Sequence, residues 1–399
     1  MEGKTTALAM KLLIYSHFFP PSVGGVETVI LALARGLAGE RRADGTQEFD
    51  ITLVTQTASG DFQDAGLPFR VARRPKGAEF RRLLRHADVI HCAGAAMSPI
   101  VGGLLAGKPV VVEHHGFQAI CPTGQLFQEP QNVPCPGHFM AGRHSACLQC
   151  SSTPRRIASL RLWVLTFLRR FLCQHVAVNI APTAWVASML RLPRTEIVRH
   201  GLPIVPLIPR QTVGHGTPVI VFIGRIVTTK GTAVLLEAAR ILNEQNRRFQ
   251  LRIIGDGPER VPLEKLAHEL RLDSQVQFLG RLAEEQVTGI LAQTDLVVVP
   301  SLAGEVFGMV VAENMLRGLT VVASDLGSFR EVLENTGVTF KTGNASDLAA
   351  KLGHLLDDPA ATRQLGAAAR QRVLDFCTLG RMIREHAEIY RRIISEKAS

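Results

Sequence analysis

Residues 297–325 read VVVPSLAGEVFGMVVAENMLRGLTVVASD, in which two valine-rich runs flank an apolar segment of helical length. Continuous apolar runs, rather than alternating ones, are typical of parallel strands that are buried on both faces. Two parallel strands also need a crossover of a dozen or more residues, which the segment between the runs supplies. The stretch therefore predicts a strand, a helix and a second, parallel strand.

The same alternation recurs in both halves of the chain. Strands are predicted at 11–18, 49–56, 87–92 and 108–115, and again at 219–225, 250–257, 276–282, 294–301 and 319–325. Helices are predicted over 24–39, 232–246 and roughly 378–396. This pattern indicates an α/β fold of two Rossmann-like, doubly wound domains that face each other across a cleft.

The domain boundaries follow from length and composition, because 399 residues exceed one ordinary core. The predicted order is an N-terminal extension (1–10), a first domain (11–200) with a cysteine-bearing loop (121–150), a Pro-rich linker (201–218), a second domain (219–377) and a helix (378–399) that crosses back to the first domain. The GKTT segment at 3–6 echoes a phosphate-binding loop. We assign it to the extension, since the strand and glycine of that motif have no room upstream.

The net charge of +10 is concentrated before residue 209, where the surplus is +9. Eight arginines and no acidic residue lie between Glu129 and Glu196. The first half is therefore expected to face a negatively charged partner. No signal peptide is recognised and no apolar run reaches the ~18–20 residues of a membrane span. We expect a cytoplasmic protein, located at the inner face of the cell membrane if it contacts lipid.

Two basic residues follow the strand at 219–225. Arg225 and Lys230 flank a turn before a helix, where they could bind a diphosphate together with the helix N-terminus. The alternative is a pair of solvated surface cations. The glycine-rich turn IIGDGP at 253–258 is equally consistent with an ordinary tight turn.

Two carboxylates are spaced eight residues apart in the opening stretch. Gly308 would let a helix begin close to a ligand, with Glu305 in the preceding loop and Glu313 on the helix. A glutamate in an apolar helix is costly unless a partner such as a sugar or ribose hydroxyl pairs with it. A partly exposed helix with Glu313 in water is the other interpretation.

Six segments of the chain form an ordered series, and the resemblance that they carry spans residues 11–395. They are PPSVGGVE, VVVEHHG, FIGRIVTTKG, IIGDGP, VQFLGRL and VVVPSLAGEVFGMVVAENMLRGLTVVASDLGSFREVL. It resembles the retaining, nucleotide-sugar-dependent GT-B glycosyltransferases of the large family 4 type (glycosyl transferases group 1). The pair of glutamates is the specific part of the resemblance.

The resemblance implies a role for each matching residue. Arg225 and Lys230 would clamp the donor diphosphate, Glu305 would lie near the donor sugar hydroxyls, and Glu313 would hold the ribose. Backbone of Gly224 and of Phe307, Gly308 and Met309 would lie near the sugar and phosphate, and Gly24 and Gly25 near the diphosphate or acceptor. His115 would be the active-site histidine, although His114 precedes it and relatives commonly have Asp after the histidine, where this chain has Gly116.

The implied activity is retaining transfer of a sugar from a nucleoside-diphosphate sugar to a lipid-linked or oligosaccharide acceptor. The chain contains no Asp-x-Asp sequence, so we expect catalysis without a metal cofactor, with cations stabilising the leaving diphosphate. The alternatives are a nucleotide-sugar epimerase on the same fold and a non-catalytic nucleotide-sugar sensor.

Two further segments carry separate hypotheses. Cys121, Cys135, Cys147 and Cys150 in the loop at 121–150 could bind a structural zinc ion, or could be reduced, partly buried thiols. The segment 153–175 combines Arg155, Arg156, Arg161, Arg169 and Arg170 with Trp163, Phe167 and Phe171. It predicts a basic amphipathic helix for an anionic membrane surface, or else an ordinary core helix. No nucleic-acid module accompanies it, so we expect no nucleic-acid partner.

Overall fold

The computed structural model describes residues 9–150, 156–207 and 216–398. They divide into two compact units, and each is described by itself. Unit 1 takes the described residues of Met1–Gly124, Leu160–Pro203 and Cys377–Ser399, and unit 2 takes those of Gln125–Ser159 and Ile204–Phe376. The GKTT segment, residues 208–215 of the predicted linker and Arg155 lie outside the described residues.

The strands build two parallel sheets and one short hairpin. In chain order they are β1 (Met10–Ser16), β2 (Phe49–Thr55), β3 (Arg70–Arg73), β4 (Val89–Ala93), β5 (Val110–Glu113), β6 (Phe127–Gln128), β7 (Val133–Pro134), β8 (Val178–Ala181), β9 (Thr195–Ile197), β10 (Val219–Ile223), β11 (Gln250–Ile254), β12 (Val276–Gly280), β13 (Leu296–Val299), β14 (Thr320–Ser324) and β15 (Val338–Phe340). The unit 1 sheet has the order β3-β2-β1-β4-β5-β8-β9, and the unit 2 sheet the order β12-β11-β10-β13-β14-β15. The strands β6 and β7 pair with each other.

Most of the helices connect parallel strands, and the last three follow β15. They are α1 (Gly25–Gly39), α2 (Gly77–His86), α3 (Met97–Leu105), α4 (His144–Leu148), α5 (Arg156–His175), α6 (Ala184–Leu190), α7 (Thr232–Glu244), α8 (Arg260–Glu269), α9 (Glu284–Leu291), α10 (Met309–Leu316), α11 (Gly327–Leu333), α12 (Ala345–Asp357), α13 (Pro359–Phe376) and α14 (Leu379–Ala398). The α/β class and the Rossmann-like pattern of both sheets are confirmed.

Each sheet reverses its strand order next to its first strand, between β1 and β4 in unit 1 and between β10 and β13 in unit 2. Ligands of doubly wound sheets bind beyond the carboxyl ends of the strands, at this reversal. The central strands are buried on both faces, as Ile14 and Val221 illustrate with no exposed surface. The polar residues that follow these strands are therefore the candidates for function.

The cysteine-bearing loop differs from the prediction, which placed it in the first domain. Its described residues from Gln125 onward cluster with unit 2. The reason is hydrophobic: Phe127 of β6 is buried against Leu302 and Ala303, which follow β13. Cys121 remains in unit 1.

The last helix, α14, packs within unit 1. It contacts α1, where a Cβ on Gly36 would lie 2.0 Å from the end of the Ile383 side chain, so this side chain fits against α1 because Gly36 has no Cβ. Arg391 of α14 donates two hydrogen bonds to the Glu48 carboxylate, at 2.6 and 2.7 Å. Hydrophobic packing and a bidentate ion pair thus hold the helix in unit 1.

Glycine is required where the loop after β10 meets the loop after β13. Gly231 has φ +68°, and a Cβ there would lie 1.9 Å from the carbonyl oxygen of Pro300.

We expect Gly231→Ala to lower the free energy of unfolding by ~1–3 kcal/mol, measured by urea denaturation. A Cβ on Gly289, in α9, would meet nothing within 4 Å. The control Gly289→Ala should gain about 0.5–1 kcal/mol, and equal stability of the two variants would contradict the packing argument.

Candidate active site

Two of the predicted residues meet at the carboxyl end of the unit 2 sheet. Lys230 follows β10 and Glu305 follows β13, and these two strands are paired neighbours. Lys230 Nζ donates to Glu305 Oε1 at 2.5 Å. Ser301 Oγ donates to the same oxygen at 2.8 Å, and Ser328 Oγ donates to the Glu305 carbonyl oxygen at 3.0 Å. The sequence analysis did not include these two serines, which fix the loop around Glu305.

Arg225 presents an exposed cation at the end of β10. The preceding Gly224 donates its N–H to the carbonyl oxygen of Ile254 at 3.0 Å, which ties this turn to the end of β11. The Arg225 guanidinium forms no ion pair with the described residues. A positive charge on an anchored turn is therefore available to a ligand.

The helix α10 begins at the same end of the sheet. Gly308 precedes it with φ +95°, and a Cβ there would lie 2.6 Å from the Phe329 ring. Phe307 is buried and Met309 is the first helical residue. The first turn of a helix leaves backbone N–H groups without intrahelical partners, and these attract anions.

Glu313 lies on α10 and is only partly exposed. Burial raises the pKa of its carboxyl, the nearby Arg317 cation opposes that rise, and the charge of Glu284 adds to it. The structure gives this carboxylate no hydrogen-bond donor among the described side chains. An acid in this position lacks the partner that would offset its burial, and a hydroxyl-bearing ligand could supply one.

In unit 1, Gly24 and Gly25 lie at the start of α1, after β1. A Cβ on Gly24 would lie 2.6 Å from Glu27 Oε2, so the loop packs on a buried carboxylate. Ser22 Oγ donates to Glu27 Oε1 at 2.8 Å. The absence of a Cβ on Gly24 keeps the backbone close to this polar group.

The structure separates the two adjacent histidines. His114 is buried and its Nε2 lies 3.0 Å from Asn179 Oδ1, so the ring nitrogen donates to the amide oxygen. Burial lowers the pKa of His114 to about 4, which keeps the ring neutral. His115 instead stacks on His200 with ring centroids 4.9 Å apart. His114 is thus bound in the interior of unit 1, and His115 is the candidate for chemistry.

His115 belongs to a buried group that we call the Glu113 cluster. Its members are Glu113, His91, His115, His200 and His386. Glu113 ends β5, and the four Nε2 atoms lie 3.1 Å (His91), 3.3 Å (His200), 3.4 Å (His386) and 3.5 Å (His115) from its carboxylate oxygens. Burial alone would raise the pKa of Glu113, but the imidazoles hold it well below its usual value. The sequence analysis missed this cluster, although a glutamate inside the run VVVEHH was a signal that partners were needed.

The cysteines of the loop at 121–150 are not part of the Glu113 cluster. Cys150 Sγ donates to the carbonyl oxygen of Phe127 at 3.0 Å. Among the described residues, the groups with metal-coordinating spacing are His91–Glu113–His386 and Glu113–His115–His200, and neither contains a cysteine. A zinc ion bound by the loop cysteines stays a prediction.

The helix α5 carries an exposed apolar stripe. Its members are Ile157, Leu160, Val164, Phe167, Leu168 and Phe171, each at least two-fifths exposed. Arg170 donates to the carbonyl oxygens of Leu190 and Arg191, so this arginine is partly used inside unit 1. No described helix has the length and hydropathy needed to span a bilayer.

Comparison with known proteins places residues 207–372 in the family model "Glycosyl transferases group 1". The chain is 29% identical over 143 residues to N-acetyl-alpha-D-glucosaminyl L-malate synthase of Bacillus anthracis, which is 35% of this chain and 37% of that protein. It is 34% identical over 125 residues to glycogen synthase of Mycobacterium tuberculosis, covering 31% and 30% of the two chains. The alignments thus span about a third of the curated relatives' length.

Solved structures match over nearly the whole chain. Sucrose-phosphate synthase of Thermosynechococcus elongatus superposes with a TM-score of 0.73 at 19% identity, covering 97% of this chain and 100% of that one. HepE of Anabaena in complex with UDP-glucose gives 0.69 at 19% identity, covering 95% and 98%. At these identities the likeness concerns the fold. Residues 207–372 therefore match the model of the glycosyl transferases group 1 family, and the chain has the GT-B fold of these neighbours.

Proposed function

We propose that this protein is a retaining glycosyltransferase that moves a sugar from a nucleoside-diphosphate sugar to a lipid-linked or oligosaccharide acceptor. The observation that carries the proposal is the convergence of Lys230, Glu305 and the N-terminus of α10 in unit 2. The family match covers this same region. Structures with the same fold contain UDP and UDP-glucose, which supports a nucleotide-sugar donor here.

The donor would be bound by unit 2. An ammonium has three N–H donors, so Lys230 can keep its bond to Glu305 while donating to a phosphate oxygen. Arg225 adds a forked donor, and the first turn of α10 adds backbone N–H groups. The second carboxylate oxygen of Glu305 would accept from a sugar hydroxyl, and Glu313 would accept from the ribose hydroxyls.

In the transfer step, the bond between the anomeric carbon and the phosphate oxygen breaks, and a bond to the acceptor oxygen forms on the same face. The acceptor proton leaves with the nucleoside diphosphate. Negative charge grows on the diphosphate as the bond breaks, so Arg225 and Lys230 stabilise the transition state more than the ground state. His115 would hydrogen-bond the sugar, and the backbone at Gly24 and Gly25 would approach the diphosphate or acceptor.

Removing either donor-side cation tests the proposal. We expect wild-type protein to gain thermal stability with at least one nucleoside diphosphate in a panel of nucleotides and nucleotide sugars. Arg225→Ala and Lys230→Ala should each weaken that binding at least tenfold, about 1.4 kcal/mol, and lower transfer further. Binding is measured by calorimetry and transfer by release of the nucleoside diphosphate.

The matched control is Arg248→Ala, which removes an exposed cation elsewhere in unit 2. This variant should bind and transfer like wild type. Stabilisation by no nucleotide, or full activity of the Arg225 and Lys230 double variant, would refute the donor assignment.

Glu313→Gln separates stability from function. Because burial raises the Glu313 pKa in the folded chain, the unfolded chain releases this proton at lower pH. The resulting loss of stability grows as pH rises above ~4.5 toward the folded-state pKa. The variant should therefore be more stable than wild type at pH 7, with the difference vanishing below pH ~4.5. Its affinity for the nucleoside diphosphate should fall about tenfold, since an amide accepts less strongly than a carboxylate.

Both effects are measured on one protein, by urea denaturation across pH and by calorimetry. The control Glu285→Gln alters an exposed acid on α9 and should change neither quantity. A Glu313→Gln variant that binds the nucleotide like wild type would remove the ribose role.

We also propose that α5 contacts an anionic membrane, through its exposed apolar stripe and the arginines beside it. Wild-type protein should sediment with vesicles that contain anionic phospholipid, and less so at high salt or with neutral vesicles. Leu168→Asp with Phe171→Asp should abolish sedimentation, whereas Leu105→Asp, at an exposed position on α3, should not. Unchanged sedimentation of the double variant would refute this contact.

A further inference from the structure

The Glu113 cluster contains groups that its hydrogen bonds do not satisfy. His386 Nδ1 lies 2.8 Å from the carbonyl oxygen of Met382. A carbonyl oxygen only accepts, so this nitrogen carries the proton. In the neutral ring, Nε2 then has a lone pair, and that lone pair lies 3.4 Å from Glu113 Oε2. Two acceptors at this distance repel each other unless a positive charge lies between them.

The contacts of the His91 and His386 rings with the Glu113 carboxylate also lack the geometry of hydrogen bonds. His91 Nε2, His386 Nε2 and both carboxylate oxygens of Glu113 are buried without a hydrogen-bond partner. The two nitrogens nevertheless lie 3.1 Å and 3.4 Å from Glu113 Oε2. Each buried polar atom left in this state costs about 1–3 kcal/mol. A ligand bound between these atoms would remove this cost.

The spacing fits a metal ion. Bonds of about 2.0–2.1 Å from a tetrahedral zinc ion put neighbouring ligand atoms ~3.3 Å apart. The atoms of His91, Glu113 and His386 lie within 4.8 Å of one another, and all three residues are fully buried. Two imidazoles and one carboxylate form a donor set that zinc uses in proteins.

The second ring nitrogens are held as in known metal sites. Metal-bound histidines almost always bond their other nitrogen to a carbonyl, a carboxylate or water, which fixes the ring. Here His386 Nδ1 donates to Met382, and His91 Nδ1 lies 2.9 Å from the Tyr390 hydroxyl. Both rings are therefore oriented toward Glu113 by residues of α14.

We propose that Glu113, His91 and His386 bind a divalent transition-metal ion of the zinc class inside unit 1. The ion joins α14 to β4 and β5, and three protein ligands leave a fourth position for water. The related group of Glu113, His115 and His200 shares the carboxylate, so the ion lies next to the histidine proposed to position the sugar. This site is separate from the loop cysteines and does not depend on the proposed transfer activity.

The test is the metal content of protein produced in zinc-supplemented medium and freed of any affinity tag. In the variant Cys147→Ser with Cys150→Ser, which removes two cysteines of the loop, elemental analysis should find about one zinc ion per chain. X-ray absorption of this variant should show nitrogen and oxygen ligands near 2.0–2.1 Å rather than sulfur near 2.3 Å. A chelator should lower the melting temperature of the wild type, and added zinc should restore it.

Variants locate the ion. His91→Gln and His386→Gln should lose at least nine-tenths of the bound zinc, a tenfold change or more. His86→Gln, at an exposed histidine of unit 1, and the pair Cys147→Ser with Cys150→Ser should keep it. If the His91 and His386 variants do not fold, two measurements still test the proposal. They are the X-ray absorption spectrum of the double cysteine variant and the change of the wild-type melting temperature with a chelator. Metal-free wild type that zinc does not stabilise, or zinc bound through sulfur alone, would overturn the proposal.

Discussion

In a parallel sheet that is buried on both faces, polar groups reach a ligand mainly beyond the ends of the strands, and the sheet of unit 2 is built on that constraint. The central strands are rich in valine, isoleucine and leucine, whose burial stabilises each sheet. The carboxyl ends of neighbouring strands then bring together residues far apart in the chain. Gly231 shows how tightly these ends meet, since its Cα approaches the Pro300 carbonyl too closely for any side chain.

In unit 2 this constraint brings Lys230, Ser301 and Glu305 together. Lys230 and Ser301 hold one oxygen of Glu305, so its carboxylate is oriented by groups from two adjacent strand ends. Glu313 is the opposite case, because its burial raises its pKa and no described donor compensates. A residue that lowers stability on a mostly apolar helix is what a binding site is expected to contain.

In unit 1 the carboxylate of Glu113 breaks the apolar pattern at the end of β5. It is tolerated because imidazoles from β4, the turn after β5, the segment after β9 and helix α14 surround it. The position of α14 is thus linked to the sheet by polar as well as hydrophobic contacts, with Tyr390 bonded to His91. Helix α14 thus completes the Glu113 cluster of unit 1, although the strands of that unit lie far earlier in the chain.

The sequence by itself determined the central strands of both sheets and singled out the residues that we propose for the donor side. The strands β3, β8, β9 and β15, at or next to the sheet edges, were not predicted. Apolar runs set the strands, and the spacing of Glu305, Gly308 and Glu313 located the helix start, because both depend on residues close in the chain. The tertiary structure alone decided three features. Phe127 packs the cysteine-bearing loop into unit 2, His114 bonds to Asn179 while His115 faces Glu113, and His91 and His386 meet at Glu113. Most of those contacts join residues tens to hundreds of positions apart, and the pattern of neighbours along a chain carries no information about such distances.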